Sequence, residues 1–395
     1  MQRTIGTSAY GLRTPIIKKG DDLVSIITES TLEALEGNSL SLKEMDVLAI
    51  TESLLARAQG NYCTIEDIRN DIENKFNDSI GILFPITSRN RFSIILKAIA
   101  STKKKITIFL NYPSDEVGNR LMDTEVLSEN GINIYTDTFT EEVYRELVGG
   151  SYKHPFTGLD YVSLYKSFAV NDNIEIFLSN NPLDILNHTR DILVANIHDR
   201  QNLKSVLKSN GANIVLGLDD IMTESINGSG YNPEYGLYGS NLATDSSLKL
   251  FPRNSDIFVH EVQKSIFEKT GVKIEVMVYG DGAFKDPIGK IWELADPVVS
   301  PGYTSNLEGT PNELKLKYIA DTELTELDGE SAMSVMKEKI NAKTKSSPGS
   351  NAALGTTPRR LTDLLGSLAD LVSGSGDKGT PVVLIKGYFD NFASN

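Results

Sequence analysis

One cysteine, Cys63, serves all 395 residues, so no internal disulfide and no cysteine cluster for zinc can form. Histidine is nearly as scarce: His154, His188, His198 and His260 are scattered along the chain, which argues against a histidine-rich metal centre. A metal bound here would be a hard cation held by oxygen, magnesium or manganese. The opening MQRTIGTSAYGLRTP lacks the apolar core of a secretory signal, and no later run approaches membrane-spanning length. Long basic runs are missing too, and the formal net charge is −14. Nucleic acid and membranes are therefore not expected as partners, although a local basic pocket for phosphate survives this argument. These absences fit a reducing cytoplasm.

What is present is ordinary for a globular protein: 40% hydrophobic and 23% charged residues, in a chain long enough for two domains. Strand-like runs include VLAIT (47–51), IGILFPI (80–86), KITIFLN (105–111), NIEIFLS (173–179), NIVLGLD (213–219), KIEVMVYGD (273–281) and TPVVLIKGY (380–388). Helical patterns lie between many of them. FTEEVYRELVGG has an acidic first turn and a stop at Gly149. SDIFVHEVQKSIFEKTG sets Phe258, Val262 and Ile266 on one face and stops at Gly271, and PRRLTDLLGSLADLVSG sets Leu361, Leu364, Leu365, Leu368 and Leu371 on one stripe. Strand and helix alternate most regularly from about Ile80 to Leu218, which predicts an α/β module with a parallel or mixed sheet, placed within a second module. The stretch 341–360, rich in Ser, Gly, Pro, Thr and Lys, reads either as a surface loop or as a lid bracketed by Lys343, Lys345, Arg359 and Arg360.

Three blocks carry candidate chemistry. In the first, a Thr-Pro turn and a Gly-Asp-Asp helix start lead through a strand into a helix bearing Ser53 and Arg57. Those two share a face at i and i+4, where a hydroxyl and a guanidinium can hold phosphate oxygens; an ordinary surface helix is the alternative. In the second, VYGDGAFKDP, the carboxylate of Asp281 follows an apolar strand and emerges where ligand sites of layered folds gather. Asp286, Asp219 and Asp220 could bring further carboxylates, which repel unless a cation or a proton lies among them; a plain Asp-Gly turn is the alternative. In the third, LVSGSGDKGTPVVLIKGY, Gly374, Gly376 and Gly379 alternate with Ser375 and Lys378, so backbone N–H groups can approach a phosphate closely; a plain helix-to-strand connection is the alternative. It is not a Walker A loop, because no G-K-[ST] and no helix follow. Elsewhere KHPFTGLDYVSLYKSF gathers His154, Asp160, Tyr161 and Tyr165, either a surface patch or an acceptor-recognition element.

In order and spacing these blocks resemble the coenzyme F-420:L-glutamate ligase family, gamma-glutamyl ligases that extend a lactyl-phospho-deazaflavin using GTP and a divalent metal. The family's opening motif corresponds to Thr14, Pro15, Ile16 and Ile17 before Gly20, Asp21, Asp22 and Leu23; its hydroxyl turn and basic residue correspond to Ser53 and Arg57. Its G-x-D-x-S-N reads YGLYGSN here, ending on Asn241, and its strand-end aspartate motif reads YGDGAF with Asp281. Its glycine loop reads SGSGDKGTPVVLIKG. The resemblance covers the N-terminal block, roughly 235–301 and the end from about Leu361. It departs where a metal-binding aspartate falls on Tyr238, a hydroxyl on Gly282 and an acid on Ser375.

The resemblance implies an α+β fold: a ligase-like core of 1–68 and 212–395 with an inserted α/β, Rossmann-like module at 69–211. It implies a nucleoside-triphosphate- and metal-dependent amide-forming ligase acting on glutamate and a carboxylate acceptor, which need not be the deazaflavin coenzyme. Asp281, helped by Asp219 or Asp220, would hold Mg2+ or Mn2+. Asp281 and Arg57 would be catalytic. Thr14–Ile17, Ser53, Arg57, Asn241, Gly374, Ser375, Gly376, Lys378 and Gly379 would hold GTP or ATP, in a homodimer. The alternative is a non-catalytic nucleotide- or metabolite-binding homologue with a degenerate metal site. A dinucleotide-dependent oxidoreductase is disfavoured, because no G-x-G-x-x-G follows the strands of the α/β module.

Overall fold

The protein is described by a computed structural model covering residues 4–280, 283–285, 292–294, 300–343, 360–373 and 377–394. Among the described residues twelve α-helices and several sheets make a mixed α+β chain, which divides into two compact units. One comprises Met1–Leu55, Asn254–Gly282 and Val298–Asn395; the other comprises Ala56–Arg253 and Ala283–Pro297. These limits lie outward of the 69–211 module read from the sequence. The reason is a small antiparallel sheet in which Tyr62–Thr64 pairs with Ser247–Lys249, itself paired with Asn241–Thr244. Cys63, Ile68, Leu248 and Leu250 accordingly share one core with the strands of the α/β layer.

The first unit is built on a five-stranded sheet in the order Ser8–Leu12, Val382–Lys386, Val47–Thr51, Glu275–Tyr279, Gly302–Tyr303. Only the contact between Val47–Thr51 and Glu275–Tyr279 is parallel. Alternation along the strands sends Val47, Ala49, Met277, Tyr279, Val383 and Ile385 to one face, where Leu365 and Ala369 of the helix Leu361–Val372 cover them. That helix buries Leu361, Leu365 and Ala369 at i, i+4 and i+8, whereas Leu371 is 72% exposed and falls off the expected stripe. The helices Leu23–Gly37 and Ser255–Thr270 pack on each other and against the sheet. Asp22 caps the former, its carboxylate accepting from Ser25 N (3.1 Å) and Ser25 Oγ (2.7 Å), while Asp21 accepts from Lys18 N at 2.6 Å. The Gly-Asp-Asp motif thus starts a helix and closes the loop before it. Ser255–Thr270 buries Phe258, Val262 and Ile266 and ends at Gly271, as its periodicity predicts.

The second unit holds a six-stranded sheet in the order Phe139–Thr140, Ile174–Leu178, Lys105–Leu110, Ser79–Leu83, Asp191–Val194, Ile214–Gly217. The last five run parallel and the short first strand antiparallel, a mixed sheet as the alternation predicts. Ser79–Leu83 enters in the middle. The chain builds outward to Ile174–Leu178, then crosses back to lay Asp191–Val194 against the other side of the first strand. The strand order therefore reverses between Ser79–Leu83 and Asp191–Val194.

Candidate functional site

Register decides which of the candidate segments meet in the first unit. Leu12 pairs with Val382, Val382 with Ile50 and Ile50 with Val278. The chain directions then put the last residues of Ser8–Leu12, Val47–Thr51 and Glu275–Tyr279 at the same end of the sheet as the first residues of Val382–Lys386. Thr14–Ile17, Ser53, Gly280 and the Lys378–Gly379 turn continue from those strand ends. Thr51 N donates to Pro381 O at 3.0 Å and Thr51 is the register partner of Tyr279, so Pro381 and Tyr279 stand two strand spacings apart, about 10 Å. Four segments remote in sequence share one sheet end.

Their side chains differ in what they present. Thr14 Oγ1 donates to Pro15 O at 3.1 Å; Ile16 is 82% exposed, whereas Ile17 is buried. Ser53 is half-buried in the first turn of the helix Glu52–Gln59, which begins directly at the strand end and aims its N-terminal N–H groups there. Arg57, one turn on, is exposed, and the division between units falls within this helix. Lys378 is exposed, Gly379 adopts φ 62°, and Thr380 Oγ1 is buried with no hydrogen-bond partner among the described residues. Asp281, Gly282, Asp286, Gly374, Ser375 and Gly376 lie outside the described residues, as does most of the 341–360 stretch; Lys343 Nζ donates to Asn312 O at 2.6 Å. Arg13, which none of the three motif blocks names, is an exposed cation immediately after Leu12, on the strand beside the Lys378 turn. Its signal was the basic residue directly before Thr14-Pro15.

The other candidates belong to the second unit. Tyr238, where the family motif carries an acid, is buried, with its hydroxyl donating to Asn196 O at 2.6 Å and its ring 4.8 Å from the Arg200 guanidinium. Burial, with Asp219 adding to it, pushes its hydroxyl far above the ordinary tyrosine range. The glycines of YGLYGSN are there for packing: a Cβ on Gly239 would meet the Phe251 ring at 2.1 Å, and one on Gly236 the Ile221 carbonyl at 2.5 Å. Asn241 Oδ1 accepts from Leu242 N at 3.1 Å.

Asp219 and Asp220, expected beside a metal, face cations of the helix Arg200–Ser209 instead. Lys204 Nζ lies 2.8 Å from Asp219 Oδ1 and 2.6 Å from Asp220 Oδ2, and Arg200 Nε lies 3.2 Å from Asp219 Oδ2. Burial works to raise the Asp220 carboxyl, but the Lys204 ammonium and Gly217 N–H outweigh it and hold the group below its ordinary value. The positive charge beside this pair is already supplied by the protein. Among the described residues no group of three or more His, Cys, Asp or Glu is arranged to hold a metal ion.

His154 is buried rather than a surface recognition group. Its Nδ1 accepts from Thr157 N at 3.1 Å and Phe156 N at 3.3 Å, and its ring meets Tyr161 edge-on at 5.8 Å. Burial alone lowers its pKa. Cys63 is buried and its thiol is pushed up to about 12, first by burial and then by Asp67 and Asp71, which leaves it inert as a nucleophile. Among the described residues no helix is long and apolar enough to cross a membrane.

The family described as F420-0:gamma-glutamyl ligase matches residues 11–387. That span includes the stretch from about 65 to 213, where the sequence motifs offered no counterpart. No curated protein is matched.

Proposed function

Because the chain belongs to the F420-0:gamma-glutamyl ligase family, we propose that it joins glutamate to a carboxylate acceptor at the expense of GTP or ATP, with Mg2+ or Mn2+. The acceptor need not be the deazaflavin coenzyme. In this reading the acceptor carboxylate attacks the γ-phosphorus and the nucleoside diphosphate leaves. The glutamate amine then attacks the acyl phosphate, loses a proton and expels phosphate. Such chemistry asks the protein to neutralise phosphate charge and exclude water.

The observation that supports the reading is the convergence of Thr14–Ile17, Ser53, Gly280 and Lys378–Gly379 at one end of a sheet. Lys378, Gly379 and the glycines and serine at 374–376 would hold phosphates, with Ser53 orienting them. Thr14–Ile17 would line the nucleotide. Asp281 would hold the metal ion; Asp219 and Asp220, already neutralised by Lys204 and Arg200, fit that role poorly. The protein would work as a cytoplasmic homodimer.

Glutamate-dependent release of nucleoside diphosphate in the presence of a candidate acceptor tests this. Asp281→Asn should abolish turnover while leaving the melting temperature nearly unchanged. A second reading, a binding homologue with a degenerate metal site, draws on Tyr238 standing where the family carries an acid. Metal-independent nucleotide binding without turnover would select it.

A further inference from the structure

Where the strand order of the second unit reverses, a cavity of about 440 Å³ opens outside the carboxyl ends of the parallel strands. Residues just past four of them line it: Phe84, Asn111, Asn180 and Asn196. The start of the helix Arg200–Ser209 closes one side. Such reversal points are where open α/β sheets take ligands, and the volume suits a small molecule.

Hydrogen-bond accounting separates the lining groups that are committed from those that are not. Asn180 accepts from Asn111 Nδ2 (3.1 Å) and Tyr112 N (3.2 Å) and donates to Tyr112 O (2.6 Å) and Ile134 O (3.1 Å). Asp115 accepts from Thr87 N and Oγ1, Val117 N, and Asn119 N and Nδ2. Glu116 accepts from Ile197 N (2.6 Å) and His198 N (3.0 Å). These three are spent on the fold. Asn196 is different. It is 5% exposed and its Oδ1 accepts from Asp199 N at 2.7 Å, yet its Nδ2 has no partner among the described residues. The Oδ1 of Asn111 and the hydroxyl of Ser114 are likewise uncommitted among the described residues. The side-chain carboxylate of Asp199 at the rim accepts, among the described residues, only from Asn202 Nδ2, at 3.2 Å.

Charge decides the ligand class. Three carboxylates and no Lys or Arg line the cavity, and the nearest cations of the adjoining helix, Arg200 and Lys204, are turned to Asp219 and Asp220. A phosphate or carboxylate ligand would meet a negative lining here with no lysine or arginine to offset it. Phe84, Leu203 and Val206 supply an apolar wall for a ring. We propose that this cavity binds an uncharged, hydroxyl-bearing ligand of the nucleoside class, with Asn196 Nδ2 donating to it and Asn111 Oδ1 and Asp199 accepting from its hydroxyls. The site is separate from the triphosphate site of the ligase reading and does not depend on it.

Calorimetric titration of the full chain with adenosine, guanosine, cytidine and uridine, and with their 5′-monophosphates, tests the proposal. At least one nucleoside should bind saturably, with its monophosphate weaker by about tenfold or more. Asn196→Asp keeps the oxygen that holds Asp199 N but removes the donor, and should weaken binding by about tenfold or more. Asn202→Trp, at an exposed position over the opening, should do the same without touching the core. Lys378→Ala should leave nucleoside binding unchanged, and Asn196→Asp should leave triphosphate binding unchanged. No binding of any nucleoside, tighter binding of the monophosphates, or wild-type affinity in both cavity variants would overturn it.

Discussion

Lys204 sits between two adjacent aspartates with its side chain only 10% exposed, so its ammonium is a structural counter-ion rather than a solvated surface charge. Removing it leaves the adjacent carboxylates of Asp219 and Asp220 with Arg200, the Gly217 N–H and the more distant Lys208 to offset them. Lys204→Met should cost about 2–3 kcal/mol, below the figure for a fully buried pair because Asp220 is partly open to water. Asp220 is more acidic in the folded chain than its unfolded value of 3.8. Its contribution is therefore complete above that value and is lost as pH falls through the folded value. The stability gap between wild type and Lys204→Met in urea titrations should accordingly be widest near neutrality and shrink on acidification below about 4. A gap independent of pH would mean that packing, not charge, holds this pair. None of this was legible in the sequence: NIVLGLDD announces carboxylates at a strand end, but the cation that meets them comes from the preceding helix, through a crossover that no local pattern encodes.

At the scale of elements, the helix Leu361–Val372 shows how periodicity and packing divide the work. Leu365 is fully buried against Val47 and Val383 of the sheet, while Leu371 is largely exposed. Leu365→Ala should cost about 3 kcal/mol in chemical denaturation and Leu371→Ala less than about 0.5 kcal/mol. Equal costs would mean that the helix buries a different face. Strands announced by β-branched runs, such as KITIFLN and KIEVMVYGD, fall where the sequence puts them. Asp191–Val194 escaped notice because only four residues, opening on a charge, form it, although it lies inside the sheet with a strand on either side. Ser8–Leu12 escaped because Ser, Gly and Tyr dilute its pattern, its pairing partner being some 370 residues away in the chain. The ligand cavity left a trace that composition alone hides: three strands run out into asparagine, at IFLN, IFLSN and LVAN.

For the whole chain, family membership and the first unit's sheet both support the proposed ligase chemistry. Motifs read separately along the sequence, Thr14-Pro15, Ser53 and Lys378-Gly379, gather at one end of that sheet because Ser8–Leu12, Val47–Thr51 and Glu275–Tyr279 run one way and Val382–Lys386 runs the other. The sequence could nominate those segments but not their neighbourhood, since register and strand order are set by contacts hundreds of residues apart. What the arrangement offers is a helix N-terminus, a lysine in a glycine turn and the exposed Arg13, all suited to an anionic ligand. The most direct test is calorimetric titration of the full chain with GTP and with ATP in the presence of manganese, repeated on Lys378→Ala. The account predicts saturable binding of at least one triphosphate, weakened about tenfold or more by the substitution. Absence of binding by either nucleotide, or binding indifferent to Lys378, would contradict it.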